Sequence, residues 1–368
     1  MKTYHVGKLG VAEGIALVFG LVVSRLFLSG MADGIRAIGQ LYWLAMILFT
    51  MIPLLVVFMM VYVQNRVSGD IVAVCQQLVG KVGAWLIVVT YIGIFWGNSA
   101  LILRQYTEYT LATALPGAEF QLVIVWYTVT AGIICYLGIE ALCRASYIVL
   151  PFMVGGLFLI MGMVSPYYVV YNLTPWQGNG IMTAVQSGIQ GVGFNVGVLS
   201  LVFLSSAFQN AKTIKSAAIY ALGGSLVLRI VYMLVYTMVF GVAVGGEKTM
   251  PFFDLARLVY LNQYIQRIEA LFIVVWVIFG LMAIAGMMYM GLYLIVVLLK
   301  LPALRSIVPL GAMIVVNLAM LPPDIGTTMQ LDQRLLQVSQ LGIYLFPGIL
   351  FIMALVKKRR RKKPCADL

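Results

Sequence analysis

Ten stretches of about twenty apolar residues follow one another along this chain, with only short polar links between them. They fall at 9–31, 41–63, 84–112, 120–138, 146–165, 181–208, 213–243, 267–299, 303–321 and 335–356, and are numbered spans 1 to 10. Hydrocarbon offers no water to a free N–H or C=O. A segment crossing it must bond its backbone internally, and runs of this length are read as helices. With 62% hydrophobic and 10% charged residues and a mean hydropathy of +1.02, the 368-residue chain has almost nothing left for a soluble domain. The expected arrangement is one transmembrane domain over 1–368, with 357–368 as a basic tail.

The formal net charge of +12 invites a nucleic-acid reading, but its distribution points to lipid instead. With the N-terminus placed in the cytoplasm, Lys2, Lys8, Arg66, Lys81, Arg144, Lys212, Lys215, Lys300, Arg305 and the tail Lys357–Lys363 all fall inside. The opposite loops keep only Arg36, Lys248, Arg257, Arg267 and Arg334. This asymmetry is the positive-inside pattern, and it predicts both termini in the cytoplasm, with the tail held against anionic lipid. No nucleic-acid partner is expected. His5 is the single histidine, and Cys75, Cys135, Cys143 and Cys365 lack metal or disulfide spacing. No constellation supports covalent or hydrolytic chemistry, so neither an enzyme nor a cofactor is expected.

Ten spans divide as five plus five, repeat one over about 9–165 and repeat two over about 181–356. An odd number of crossings per half inverts the second half relative to the first, as inverted-repeat transporter folds require. In that architecture the first helix of each half is interrupted. Span 6 carries Gly188-Ile-Gln-Gly-Val-Gly-Phe-Asn-Val-Gly197. Each interior glycine costs about 1 kcal/mol against alanine, and the carboxamides of Gln190 and Asn195 need partners at membrane depth. Span 1 has Gly10, Gly14 and Gly20 ahead of Ser24-Arg25 and Ser29-Gly30. Two broken helices in corresponding positions predict a small-molecule site near the midplane.

Ionisable residues inside a membrane usually face the bundle interior. Arg25 either meets a ligand carboxylate or pairs with an acid such as Glu108. Arg104 and Glu108 lie four apart and can neutralise each other on one helix face; the alternative makes Glu108 a gating carboxylate. Arg229 has no partner along its own helix and is expected to point inward or to snorkel. Ser68 or Asp70 is expected to cap an amphipathic helix over 71–79 on the cytoplasmic surface. The stretch after Pro251 reads as an interfacial helix.

The loop Met250-Pro-Phe-Phe-Asp-Leu-Ala-Arg257, followed by Tyr264-Ile-Gln-Arg-Ile-Glu-Ala-Leu-Phe-Ile-Val-Val-Trp276, resembles the approach to the eighth helix in the B subunit of bacterial spore germinant receptors, the GerAB-like spore permease family. Arg104 with Glu108, then Leu115-Pro116, is similar to that family's third helix. The resemblance implies an all-α fold of the amino acid–polyamine–organocation (LeuT) type with spans 1 and 6 unwound. It implies an inner-spore-membrane location and partnership with an A subunit and a lipoprotein C subunit. It also implies a role in sensing a nutrient, typically an amino acid, and signalling germination. Carried over by position, the ligand-binding set is Gly20, Ser24, Arg25, Glu108, Gln190, Gly191, Gly193, Asn195 and Ala283. In span 1 the family keeps a small Gly-x-Gly-like element where this chain reads Val22-Val-Ser-Arg25, and Leu281–Gly286 of span 8 lacks the cation often found there. A proton- or sodium-coupled amino acid permease shares the same fold. A scaffold that only anchors a partner is a third reading.

Overall fold

The computed structural model describes residues 8–28, 30–67, 69–259 and 269–361. All regular structure among them is helical. One isolated bridge joins Leu9 to Phe208, with the Leu9 N–H donating to the Ala207 carbonyl at 2.9 Å. It ties the start of span 1 to the end of span 6.

Eight helical stretches are long and apolar enough to cross a membrane: Gly30–Gln64, Ile71–Thr113, Phe120–Leu137, Ile139–Met163, Ile181–Phe203, Ala211–Gly245, Phe272–Leu299 and Ile325–Lys357. Two others complete the ten expected segments. Arg305–Met320 is a shorter apolar helix, and span 1 stops as an α-helix at Val23 after 13 residues. Large apolar side chains such as Val82, Trp126, Phe152 and Met182 stand exposed around the bundle, as lipid-facing positions do.

Several boundaries differ from the sequence expectation. The amphipathic piece over 71–79 is continuous with span 3: one helix runs Ile71–Thr113, bent at Gly80, where φ is +81°. Asp70 caps it, accepting from the Ala73 N–H at 2.8 Å; Ser68 lies outside the described residues. The interfacial helix after span 7 is Pro251–Arg257, whereas Tyr264–Ile268 of the loop motif lie outside the described residues. The largest shift is in span 10. Expected at 335–356, it runs Ile325–Arg361, which places Asp332 within a membrane helix.

Span 1 breaks where its side chains compete with the helix ladder. Val11–Val23 passes into a 3₁₀ turn, Ser24–Phe27, and Leu28 is extended. Ser24 donates its Oγ hydrogen back to the Leu21 carbonyl at 3.2 Å, a bond that loosens helices. The second half-helix is Gly30–Ile38. Span 6 unwinds further, its Ile181–Gln190 helix giving way to a 3₁₀ stretch over Gly191–Leu199. That stretch has 9 residues, where 3₁₀ runs beyond about four are uncommon.

Neighbouring spans hold this geometry open. Membrane helices associate through close packing at small residues. A Cβ on Gly193 would collide with the Leu336 carbonyl of span 10, and one on Gly197 would meet Leu21 Cβ of span 1 at 2.7 Å. The same Leu21 would lie 2.7 Å from a Cβ on Gly286 of span 8. Leu21 is thus seated between two glycines, and the two broken helices touch directly.

Candidate functional site

Two buried arginines organise the region where spans 1 and 6 unwind, each only 4% exposed. Arg25 lies in the 3₁₀ turn of span 1. Its Nη1 donates to both carboxylate oxygens of Asp332 on span 10, at 3.1 and 3.0 Å. Its Nη2 donates in a short hydrogen bond to Asn98 Oδ1 on span 3. Asn98 in turn donates to the Ile94 carbonyl at 2.7 Å and to Ser339 Oγ at 3.4 Å. Spans 1, 3 and 10 are therefore joined by one dry polar cluster. The Arg25 Nε–H is buried and has no acceptor.

Arg229 of span 7 is held differently. Its Nη2 donates to the Val22 carbonyl at the end of the first half-helix, at 2.9 Å. Its Nη1 donates to Asn195 Oδ1 at 3.0 Å. Asn195 passes the link on, donating from Nδ2 to the Phe49 carbonyl of span 2 at 2.7 Å. The guanidinium lies 5.4 Å from the centre of the Phe49 ring. Ion pairs among the described residues include Arg25–Asp332, Arg104–Glu108, Arg144–Glu140 and Lys248–Asp254. Arg229 is in none of them.

A cavity is lined by Arg25 and Arg229 together with Met31, Tyr42, Phe49 and Phe194. It is small, with room for roughly one water. Gly30, the first residue of the second half-helix, lines the cavity too, and its carbonyl accepts from the Tyr42 hydroxyl at 3.2 Å. The positive end of a helix dipole therefore opens onto the space that already holds two cations.

The residues expected at the site do not all meet there. Arg25 lines the cavity. Ser24 and Asn195 lie in the hydrogen-bonded frame around it, with the Ser24 carbonyl accepting from the Tyr106 hydroxyl at 2.9 Å. Gly191 and Gly193 serve as contact points, Gly191 against Phe49 and Gly193 against Leu336. Gln190 is exposed, and its carbonyl accepts from Gln340 in a short hydrogen bond. Gly20 faces Met282, and Ala283 is fully buried in span 8, neither of them on the cavity wall. Glu108 pairs with Arg104 at 2.8 Å and leaves Arg25 to Asp332. Arg104 also lies over the Phe120 ring at 4.3 Å and donates to the Pro323 carbonyl at 3.4 Å.

Sequence reasoning missed Asp332, Tyr42, Phe49 and Phe194. Asp332 carried a usable signal, as an acid one helical turn before the start assigned to span 10. Among the described residues no three His, Cys, Asp or Glu side chains gather as a metal site would need.

Comparison with known proteins supplies the context for this geometry. Over 98% of the chain the fold matches Mhp1, a nucleobase-cation-symport-1 family transporter, at a TM-score of 0.71, 13% identity and 81% coverage of that protein. It also matches MhsT in complex with L-phenylalanine, at a TM-score of 0.66 and 11% identity, covering 95% of this chain and 96% of that one. The chain is accordingly an all-α integral membrane protein of the LeuT type, five helices plus five inverted, with helices 1 and 6 interrupted. In sequence it is 24% identical to spore germination protein KB of Bacillus subtilis (strain 168) over 302 residues, covering 78% of this chain and 79% of that protein. It is 25% identical to spore germination protein YndE of the same organism over 213 residues, a match spanning 55% of this chain and 56% of the relative. The family model for spore germination proteins, the spore permeases, matches residues 8–326, and this chain belongs to that family.

Proposed function

We propose that this chain is the nutrient-sensing subunit of a spore germinant receptor, binding a small carboxylate-bearing molecule where spans 1 and 6 unwind. Amino acids belong to that class. One observation carries the reading: two buried arginines and the first residue of a half-helix line one cavity, and among the described ion pairs Asp332 serves Arg25 while Arg229 has none. Leaving a cation unpaired in a low-dielectric interior is costly, so the arrangement favours an arriving anion. Family membership supports the germination role. On this reading the chain lies in the inner spore membrane, both termini on the cytoplasmic side, and acts with an A subunit and a lipoprotein C subunit. The two repeats, about 9–165 and 181–356, then move as halves around the site.

The test is a titration of the receptor, reconstituted with its partner subunits, with candidate nutrients while thermal unfolding is followed. A ligand that binds the folded state raises the midpoint by mass action. No shift with any nutrient refutes the sensor reading. The matches to solved transporters favour a second reading, an ion-coupled permease. Gradient-driven accumulation of a radiolabelled amino acid in proteoliposomes would establish it and displace the pure sensor.

A further inference from the structure

Where a membrane helix unwinds, the carbonyls it frees are the usual holders of alkali cations, and the half-helix N-termini face anionic groups. In span 1 five carbonyls near the break already have donors. Leu21 accepts from Ser24 Oγ at 3.2 Å, Val22 from Arg229 Nη2 at 2.9 Å and Ser24 from the Tyr106 hydroxyl at 2.9 Å. Arg25 accepts from the Leu28 N–H at 3.3 Å, and Gly30 from the Tyr42 hydroxyl at 3.2 Å. The donor on Val22 is itself a cation, fixed to span 7 and bonded also to Asn195 of span 6. Arg229 therefore bridges the two broken helices, as a bound sodium ion or a ligand ammonium would.

The other side of the balance is a shortage of negative charge. Arg25 and Arg229 line the cavity, and among the described residues no Asp or Glu does. Asp33, in the first turn of Gly30–Ile38, is not part of the wall. Arg25 adds a buried Nε–H without an acceptor, on a side chain 3% exposed.

Taking the break between spans 1 and 6 as the ligand site, as proposed above, we infer that it selects an organic monoanion, a carboxylate without an ammonium group, and binds it without sodium. Arg229 is the specificity-determining residue. It fills the cation's place at the Val22 carbonyl and turns its charge toward the anion. An amino acid would bring its ammonium up to Arg229, a cation outside the described ion pairs, beside carbonyls that already have donors. The deaminated acid brings only the group the site lacks. Charge-assisted bonds to a guanidinium are about twice as strong as neutral ones, and the unpaired cation gains a partner.

The test compares matched probes on the wild-type receptor: propanoate with L-alanine and ethylamine, and 4-methylpentanoate with L-leucine, 3-methylbutylamine and 4-methylpentanamide. Affinities come from thermal shift and calorimetry in sodium and in choline buffers. The acids are expected to bind at least about tenfold more tightly than their amino acids, about 1.4 kcal/mol. The amines and the amide should give no shift, and sodium should change nothing. Arg229→Gln keeps hydrogen-bond donors, removes the charge and should abolish the preference for the acid. Should that variant fail to fold, the wild-type panel decides alone. An amino acid binding as tightly as its deaminated acid, or a requirement for sodium, overturns the inference and leaves the small-molecule site standing. Silence from every probe and every nutrient overturns the site itself, and the inference with it.

Discussion

Removing the charge of Asp332 probes the polar cluster that joins spans 1, 3 and 10. The pair is close to dry, with side-chain exposures of 3% for Arg25 and 13% for Asp332 and a separation of 3.0 Å. Breaking a buried pair from one side leaves the other charge uncompensated, at a cost of about 3–5 kcal/mol. Asp332→Asn retains one acceptor oxygen for Nη1, and Asn98 still holds Nη2, so the expected loss lies near the low end, about 3 kcal/mol. Arg25→Met removes the cation and leaves the slightly more exposed carboxylate. Replacing both partners by apolar groups of similar shape is often neutral. The double variant Arg25→Met/Asp332→Leu should therefore lie well above the sum of the singles. The assay is SDS-induced unfolding in mixed micelles followed by tryptophan fluorescence, run as a double-mutant cycle. A coupling energy of about 2 kcal/mol or more is expected, within the range found for groups in direct contact. Two results would refute the reasoning: additive singles, or a cost for Asp332→Asn below about 1 kcal/mol, the scale of an exposed pair.

Glycine substitutions should separate by their surroundings. Gly193→Ala drives a Cβ into the Leu336 carbonyl and should cost about 1–3 kcal/mol by overpacking, whereas Gly223→Ala meets nothing within 4 Å and should gain up to about 1 kcal/mol from helix propensity. Equal effects in the same unfolding assay would contradict the close approach of spans 6 and 10. Glu108→Gln acts on a carboxylate 26% exposed, so it should cost no more than about 1 kcal/mol and leave ligand titrations unchanged; loss of the ligand response would return Glu108 to the site. Asp324 accepts from the Thr327 N–H at 2.7 Å, which holds its carboxyl below the ordinary aspartate range. A depressed folded-state value stabilises above the unfolded pKa and loses that contribution as pH falls through the folded one. Wild type should therefore lose stability relative to Asp324→Ala on acidification below about pH 4, and parallel pH curves would refute the cap.

The helices were legible because hydropathy and backbone satisfaction leave a membrane segment little freedom, and the break in span 6 was legible because so many glycines make a poor helix. For Arg229, a charge with no partner on its own helix, the sequence leaves inward and snorkelling both open, and the fold turns it inward onto Val22 and Asn195. Asp332 escaped because a hydropathy window trims a helix at its first polar cluster, and Asp332, Gln333 and Arg334 form such a cluster. Its place inside the bundle depends on Arg25, 307 residues away, a distance no local pattern crosses. The pairing of Glu108 with Arg104 was visible in their spacing; that it leaves Glu108 away from the cavity depends on how spans 3 and 10 lie together. The aromatic wall, Tyr42, Phe49 and Phe194, consists of residues that read as ordinary membrane packing until the fold places them opposite two arginines.

The cavity lined by Arg25 and Arg229 has room for roughly one water. A ligand of several heavy atoms fits only after spans 1, 2, 6 and 7 draw apart, so occupancy and helix displacement become the same event. If the parted form lies about 2 kcal/mol above the contracted one, it makes up roughly 3% of molecules, and apparent affinity falls about thirtyfold. Such a loss is a defect in a scavenging carrier. On the sensor reading proposed above, it would set a threshold for a dormant cell: traces of nutrient would leave the helices closed, and abundance would open them.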